Sequence, residues 1–155
     1  MESGMSATEN RVEQNTDREV NERILRQIEA NVLYYAERLD QIEARLQELQ
    51  KEWDIERAVQ MNFGIVSMAG LVFSLFNRKW IALPLVAGYF FLQHVWQGWC
   101  PPVPLLRRLG IRTQAEINRE KYALKALRGD FSGIAEEQSD PGTKAFKAIQ
   151  ATRWS

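Results

Sequence analysis

Two apolar runs without a single Asp, Glu, Lys or Arg stand back to back in this chain, Ala58 to Phe76 and Trp80 to Trp99, separated only by Asn77-Arg78-Lys79. As α-helices rising about 1.5 Å per residue, each would measure roughly 28–30 Å, the thickness of a bilayer's hydrocarbon core. Three intervening residues leave room only for an antiparallel pair. The pattern therefore predicts an all-α protein: a two-span transmembrane helical hairpin, preceded by a long heptad-patterned helix and followed by a short amphipathic one.

The preceding helix rests on a second pattern. Leu25, Val32, Leu39, Leu46 and Trp53 recur every seven residues, and Ile28, Tyr35, Ile42 and Leu49 fall three residues after the first four. No Gly or Pro interrupts them. A narrow apolar seam of this kind wants a partner helix. These nine residues are the expected oligomer interface, joined within the first span by the small pair Gly70 and Ser74, which would let helix backbones approach.

The segments then follow. Residues 1–19 are polar and are expected to be disordered. Residues 20–57 form the coiled-coil-like helix and residues 58–113 the hairpin with its exit at Cys100-Pro101-Pro102, where prolines end the helix. Thr113, with Glu116 three residues on, opens an amphipathic helix over 114–130, and 131–155 reads as a flexible tail with a turn at Asp140-Pro141-Gly142. Phe146, Ile149 and Trp154 are candidates for touching a membrane surface.

Net charge is zero, but acidic side chains dominate up to Arg57 and basic ones after Cys100. The acidic front argues against nucleic acid, which needs a concentrated basic face. Arg38, Arg45, Lys51 and Arg57 on one flank and Arg107, Arg108, Arg112 and Arg119 on the other outnumber Arg78 and Lys79 in the turn. The positive-inside bias thus places both termini in the cytoplasm and the chain in a bacterial inner membrane as a multi-pass protein.

The chemistry on offer is sparse. Cys100 is the only cysteine and His94 the only histidine, so no internal disulfide and no thiolate metal cage can form. Cys100 stands at the mouth of the second span beside Trp99 and Pro101. Nearby basic residues favour its thiolate, whereas the C-terminus of a helix opposes it. No acidic or lysine partner for His94 lies within either run. No phosphate loop, Ser/His/Asp set or pair of catalytic carboxylates is present, and no cofactor is implied.

Gly98-Trp99-Cys100-Pro101, followed by Leu109-Gly110-Ile111-Arg112-Thr113, resembles the YgaP-like transmembrane domain, a small bacterial inner-membrane family, over roughly Trp53 to Thr113. The resemblance implies a membrane hairpin that dimerises. In the member that names the family, the hairpin is joined to a rhodanese sulfurtransferase domain. This chain has a heptad helix in that place, so sulfurtransferase activity is not carried over.

The expected function is accordingly a non-enzymatic, self-associating membrane scaffold or accessory subunit. Its partners are the lipid bilayer, a second copy of itself (a dimer foremost) and an unidentified protein. A thiol- or sulfur-handling component acting through Cys100 is the alternative. A small oligomeric channel lined by Gln93, His94 and Gln97 is the second alternative.

Overall fold

A computed structural model describes residues 8–132, 134 and 141–153, with side chains from Arg11 onward. The expectations for residues 1–7, Asp140 and Trp154 lie outside the described residues. Regular structure is entirely helical among them: α1 (Thr8–Gln14), α2 (Arg18–Ala36), α3 (Ile42–Lys51), α4 (Ile55–Ser74), α5 (Ala82–Gln97), α6 (Pro102–Arg108), α7 (Gln114–Arg128) and α8 (Pro141–Thr152). Short 3-10 turns occupy Leu39–Gln41 and Arg78–Ile81. The chain divides into two compact units, one made of the described residues up to Ile24 together with Trp53–Ala115, the other of Leu25–Glu52 with those from Glu116 on.

In the first unit α4 and α5 form an antiparallel pair. Gly70 is what permits their closest approach, since a Cβ there would stand 2.5 Å from Pro84 Cδ. Deeper in the pair, Phe63 and Phe91 stack with centroids 4.7 Å apart. Val12, Ile55, Val59, Cys100 and Val103 form the buried core, flanked by Phe90, Phe91, Leu106 and Ile111. Arg107 is completely buried. Its guanidinium donates to Asn21 Oδ1 at 2.8 Å, Thr16 Oγ1 at 3.3 Å and the Ile111 carbonyl at 3.2 Å, holding α6 against the start of the chain.

The transmembrane expectation fails here. No helix among the described residues is long and apolar enough to cross a membrane. An apolar run that is continuous in sequence is not continuous as helix. The 20 residues of α4 include Glu56, Arg57, Gln60 and Asn62 in its first turns. The chain then leaves the helix after Ser74. The Asn77 side chain accepts the Lys79 N–H at 3.0 Å, and the turn so capped consumes Trp80 and Ile81. That leaves α5 with 16 residues, short of the ~20 that a span requires. The multi-pass placement in a bacterial inner membrane, with both termini cytoplasmic, is overturned with it.

The first polar stretch also departs from expectation: α1 is helical because Val12 is fully buried in the core. An apolar anchor repays the ordering of a segment whose composition alone argues against it.

The second unit shows why the heptad seam does not form one long helix. α2 ends at Ala36, and Arg38 adopts φ −136°, ψ 61°, outside the helical region. No Gly or Pro causes the break. The chain turns, Arg38 Nη1 donates to the Tyr34 carbonyl at 3.1 Å, and α3 buries Ile42, Leu46 and Leu49 with Ile117 and Leu124 of α7. Tyr35 packs against this cluster. Of the proposed interface, Ile28 is buried too, Val32 is half-buried, and Leu25, Leu39 and Trp53 are exposed. Much of the seam is therefore filled by the chain itself.

Polar pairs complete this unit. Glu120 is fully buried and accepts from Arg45 Nε at 2.9 Å and Asn31 Nδ2 at 3.2 Å. Gly129, at φ 88°, ends α7, and Asp130 then pairs with Arg128 at 2.6 Å, which holds its carboxyl below the usual carboxylate range. The expected flexible tail contains α8, whose last carbonyls are bound by buried lysines: Lys121 Nζ to Thr152 O and Lys125 Nζ to Ala151 O, both 3.1 Å. Cations at a helix C-terminus complement its unpaired carbonyls. Burial and the neighbouring Lys125 charge hold the Lys121 ammonium below its ordinary value.

Candidate functional site

The chemistry-bearing residues of the first unit meet where α4 begins and α5 ends. Two bonds fix the start of α4. The Asp54 carboxylate accepts the Arg57 N–H at 2.7 Å, an N-cap arrangement, and the Ile55 N–H donates to the Arg112 carbonyl at 2.9 Å. In an antiparallel pair, the first turn of one helix faces the last turns of the next. Glu56 is thereby brought to His94.

α5 closes at Gly98, whose left-handed φ of 71° lets its N–H donate to the His94 carbonyl at 2.7 Å. This is the terminating geometry for which glycine is favoured. A Cβ there would also collide with α1, 2.6 Å from Arg11 Cβ and 2.9 Å from the Val12 nitrogen. α1 lies so close because it serves the orphan carbonyls of α5. Asn15 Nδ2 donates to Gln97 O at 3.0 Å, and the Arg11 guanidinium donates to Trp96 O. The turn at Gly98 then redirects the chain so that Cys100 folds back into the core.

The result is a cluster that the sequence alone left apart. His94 is fully buried, and its Nε2 lies 2.9 Å from Glu56 Oε2. Cys100 is also buried, and His94 Nδ1 is buried without a hydrogen-bond partner. Burial alone would depress the imidazole's proton affinity. The Cys100 thiol and the Glu56 carboxylate outweigh it and raise the His94 pKa to about 9. Glu56 Oε1 is likewise buried without a hydrogen-bond partner.

Beside the cluster lies a cavity of about 230 Å³. Cys100, Pro101 and Pro102 close one side, and Val59, Phe63, Val66, Ala87, Phe90 and Phe91 are among the apolar residues that line the rest. Asn62 is the sole polar side chain in its wall.

Of the residues singled out in the sequence, His94, Cys100 and Pro101 are gathered here, while Trp99 is half-buried alongside. Gln93 and Gln97 bond to each other at 3.3 Å, whereas His94 turns inward to Glu56. The three therefore do not line one surface as a channel would require. Gly70 is buried within the hairpin against Pro84, and the Ser74 hydroxyl donates to its own helix at Leu71 O, 2.6 Å away. Glu56 was missed because it lies just outside the apolar run and reads as a boundary marker. Its position opposite the end of the second run was the available signal. Among the described residues, no group of three His, Cys, Asp or Glu side chains could hold a metal ion.

The class these observations define is an all-helical chain whose helical pair carries a buried thiol, imidazole and carboxylate beside an apolar cavity. No family model matches the chain, and no curated protein or solved structure matches it.

Proposed function

We propose that this protein is a non-enzymatic, self-associating helical scaffold, and that copies meet through the exposed apolar side chains of the α4–α5 pair. Their exposure carries the reading. Leu75 and Phe76 are 84% exposed, Trp96 80% and Leu85 70%, with Met61, Ile65, Met68, Leu92 and Tyr89 also open to solvent. At ~150–250 Å² for each aromatic side chain, Phe73, Phe76, Trp80, Tyr89 and Trp96 alone present on the order of 700 Å² at their observed exposures. A standard interface takes about 800 Å² from each partner.

A second copy is the occupant these side chains suit. From Ala58 to Trp99 the only Asp, Glu, Lys or Arg side chains are Arg78 and Lys79 at the turn. A two-fold antiparallel pairing of two hairpins would set those turns at opposite ends, so no like charges meet. Interfaces of this self-complementary kind are the commonest in homo-oligomers.

Sedimentation equilibrium on the full chain tests the reading. A dimer or larger closed oligomer is expected, with Ile65→Glu and Leu92→Glu giving monomers of unchanged helical circular dichroism. A wild-type monomer at all concentrations would overturn it, as would a chain that stays monomeric and binds phospholipid vesicles through these side chains.

A further inference from the structure

The second unit carries a surface of its own on α8. Along this helix Lys144, Ala148 and Ala151 are half-buried, whereas Phe146, Lys147 and Ile149 are exposed. Phe146 and Ile149 stand three positions apart and so share one side of the helix. They are 62% and 60% exposed. Lys147 flanks them. Arg153, also exposed, follows where the chain leaves α8, its N–H donating to the Gln150 carbonyl at 3.2 Å. Two large apolar side chains lie open to water with cations beside them.

The charge along this segment has one sign. From Pro141 to Ser155 the sequence contains Lys144, Lys147 and Arg153 and neither Asp nor Glu. Asp130 shares a hollow with Phe146 and Lys147, but Arg128 at 2.6 Å and Lys125 at 3.7 Å already hold its carboxylate. The helix is also in place before any partner arrives, because the buried Lys121 and Lys125 bind its last carbonyls. A preformed face avoids the ordering cost that an amphipathic segment otherwise meets on binding.

We propose that the exposed side of α8 docks on the surface of an anionic phospholipid bilayer, with Phe146 and Ile149 entering the boundary between headgroups and acyl chains and Lys147 and Arg153 meeting the lipid anions. Charge and apolarity together select this occupant. A nucleic acid would use the cations but leave Ile149 in water. An apolar protein groove would take Phe146 and Ile149 but leave the cations uncompensated. An anionic headgroup layer over hydrocarbon accepts both, as it does for interfacial helices with basic flanks. Such docking needs no helix long enough to span the bilayer, since α8 lies along its plane. It involves the second unit and is independent of self-association through α4 and α5.

The test is cosedimentation of the full chain with vesicles of phosphatidylcholine alone and of phosphatidylcholine mixed with phosphatidylserine. Binding is expected to the mixed vesicles only, and to weaken as salt is raised. Lys147→Gln and Arg153→Gln should each weaken it roughly fivefold. Phe146→Ser combined with Ile149→Ser should weaken it roughly tenfold or more, with helical circular dichroism unchanged because both side chains are exposed. Ile65→Ser combined with Leu92→Ser, which alters the α4–α5 pair, should leave the preference for phosphatidylserine intact. Absence of binding, equal binding to both vesicles, or wild-type binding by the Phe146 and Ile149 variant would each overturn the proposal. So would a fall in oligomer size in that variant without vesicles, which would make α8 a contact between copies.

Discussion

His94 Nε2 and Glu56 Oε2 stand 2.9 Å apart across the α4–α5 pair, inside a region where the sequence shows no partner for the histidine. Burial works against the charged ring, but Cys100 and this carboxylate outweigh it and raise the imidazole pKa to about 9 against an ordinary 6.5. A group whose folded pKa is raised favours the folded state fully below its unfolded value and loses that contribution as pH rises through the folded value. Unfolding free energy from urea titrations should therefore fall between about pH 6.5 and 9, by on the order of 3 kcal/mol. His94→Gln should flatten that slope. A wild-type curve that is level across the window would refute the pairing.

Gly98→Ala should cost about 3 kcal/mol. The left-handed backbone accounts for about 1–2 kcal/mol of this, and the clash with Arg11 and Val12 for the remainder. Gly110→Ala is the control, since it shares a positive φ of 87° but meets nothing within 4 Å. Thermal melts of the two variants should differ, with Gly98→Ala the lower.

At Gly70 the helical φ is unstrained, so any cost is purely one of contact with Pro84. Gly70→Leu should lose about 2 kcal/mol by forcing the α4–α5 pair apart. Gly64→Ala, with open space around it, should be neutral or slightly stabilising because alanine favours the helix. Chemical denaturation of both variants checks the contrast.

The heptad positions should separate by burial and not by register. Leu46→Ala should destabilise by about 2–5 kcal/mol, as a buried leucine does. Leu39→Ala should stay within about 0.5 kcal/mol because Leu39 is 54% exposed. Neither should change the oligomer size seen by sedimentation. Loss of oligomers in both variants would restore the intermolecular coiled coil.

Breaking the buried pair at Glu120 offers an independent probe of the second unit. Glu120→Ala should cost about 3 kcal/mol by removing the buried carboxylate that Arg45 Nε and Asn31 Nδ2 donate to, while Arg45 keeps Glu48 through Nη1 at 2.9 Å. The measurement is the urea midpoint, read beside the exposed control Glu37→Ala.

Much of the local structure was legible. The antiparallel pairing of α4 with α5 follows from three polar residues between two apolar runs, and the stop at the prolines follows from their missing N–H. His94 and Cys100 stood out because each is alone of its kind. The break at Arg38 was not legible, because no residue there forbids a helix. It exists because burying Ile42, Leu46 and Leu49 against Ile117 and Leu124 outweighs the few hydrogen bonds lost in turning. The partner of His94 was hidden for a related reason: Glu56 sits 38 positions away and looks like an ordinary helix-start acid.

Composition and periodicity by themselves determined that this chain is helical, where its apolar surface lies and which few side chains can do chemistry, since those depend on neighbours within a turn or two. Only the tertiary structure decided that much of the heptad stripe is filled from within, that the second apolar run yields a helix too short to span a bilayer, and that imidazole and carboxylate meet. Each of those outcomes turns on contacts between residues distant along the chain, whose energies no local pattern encodes.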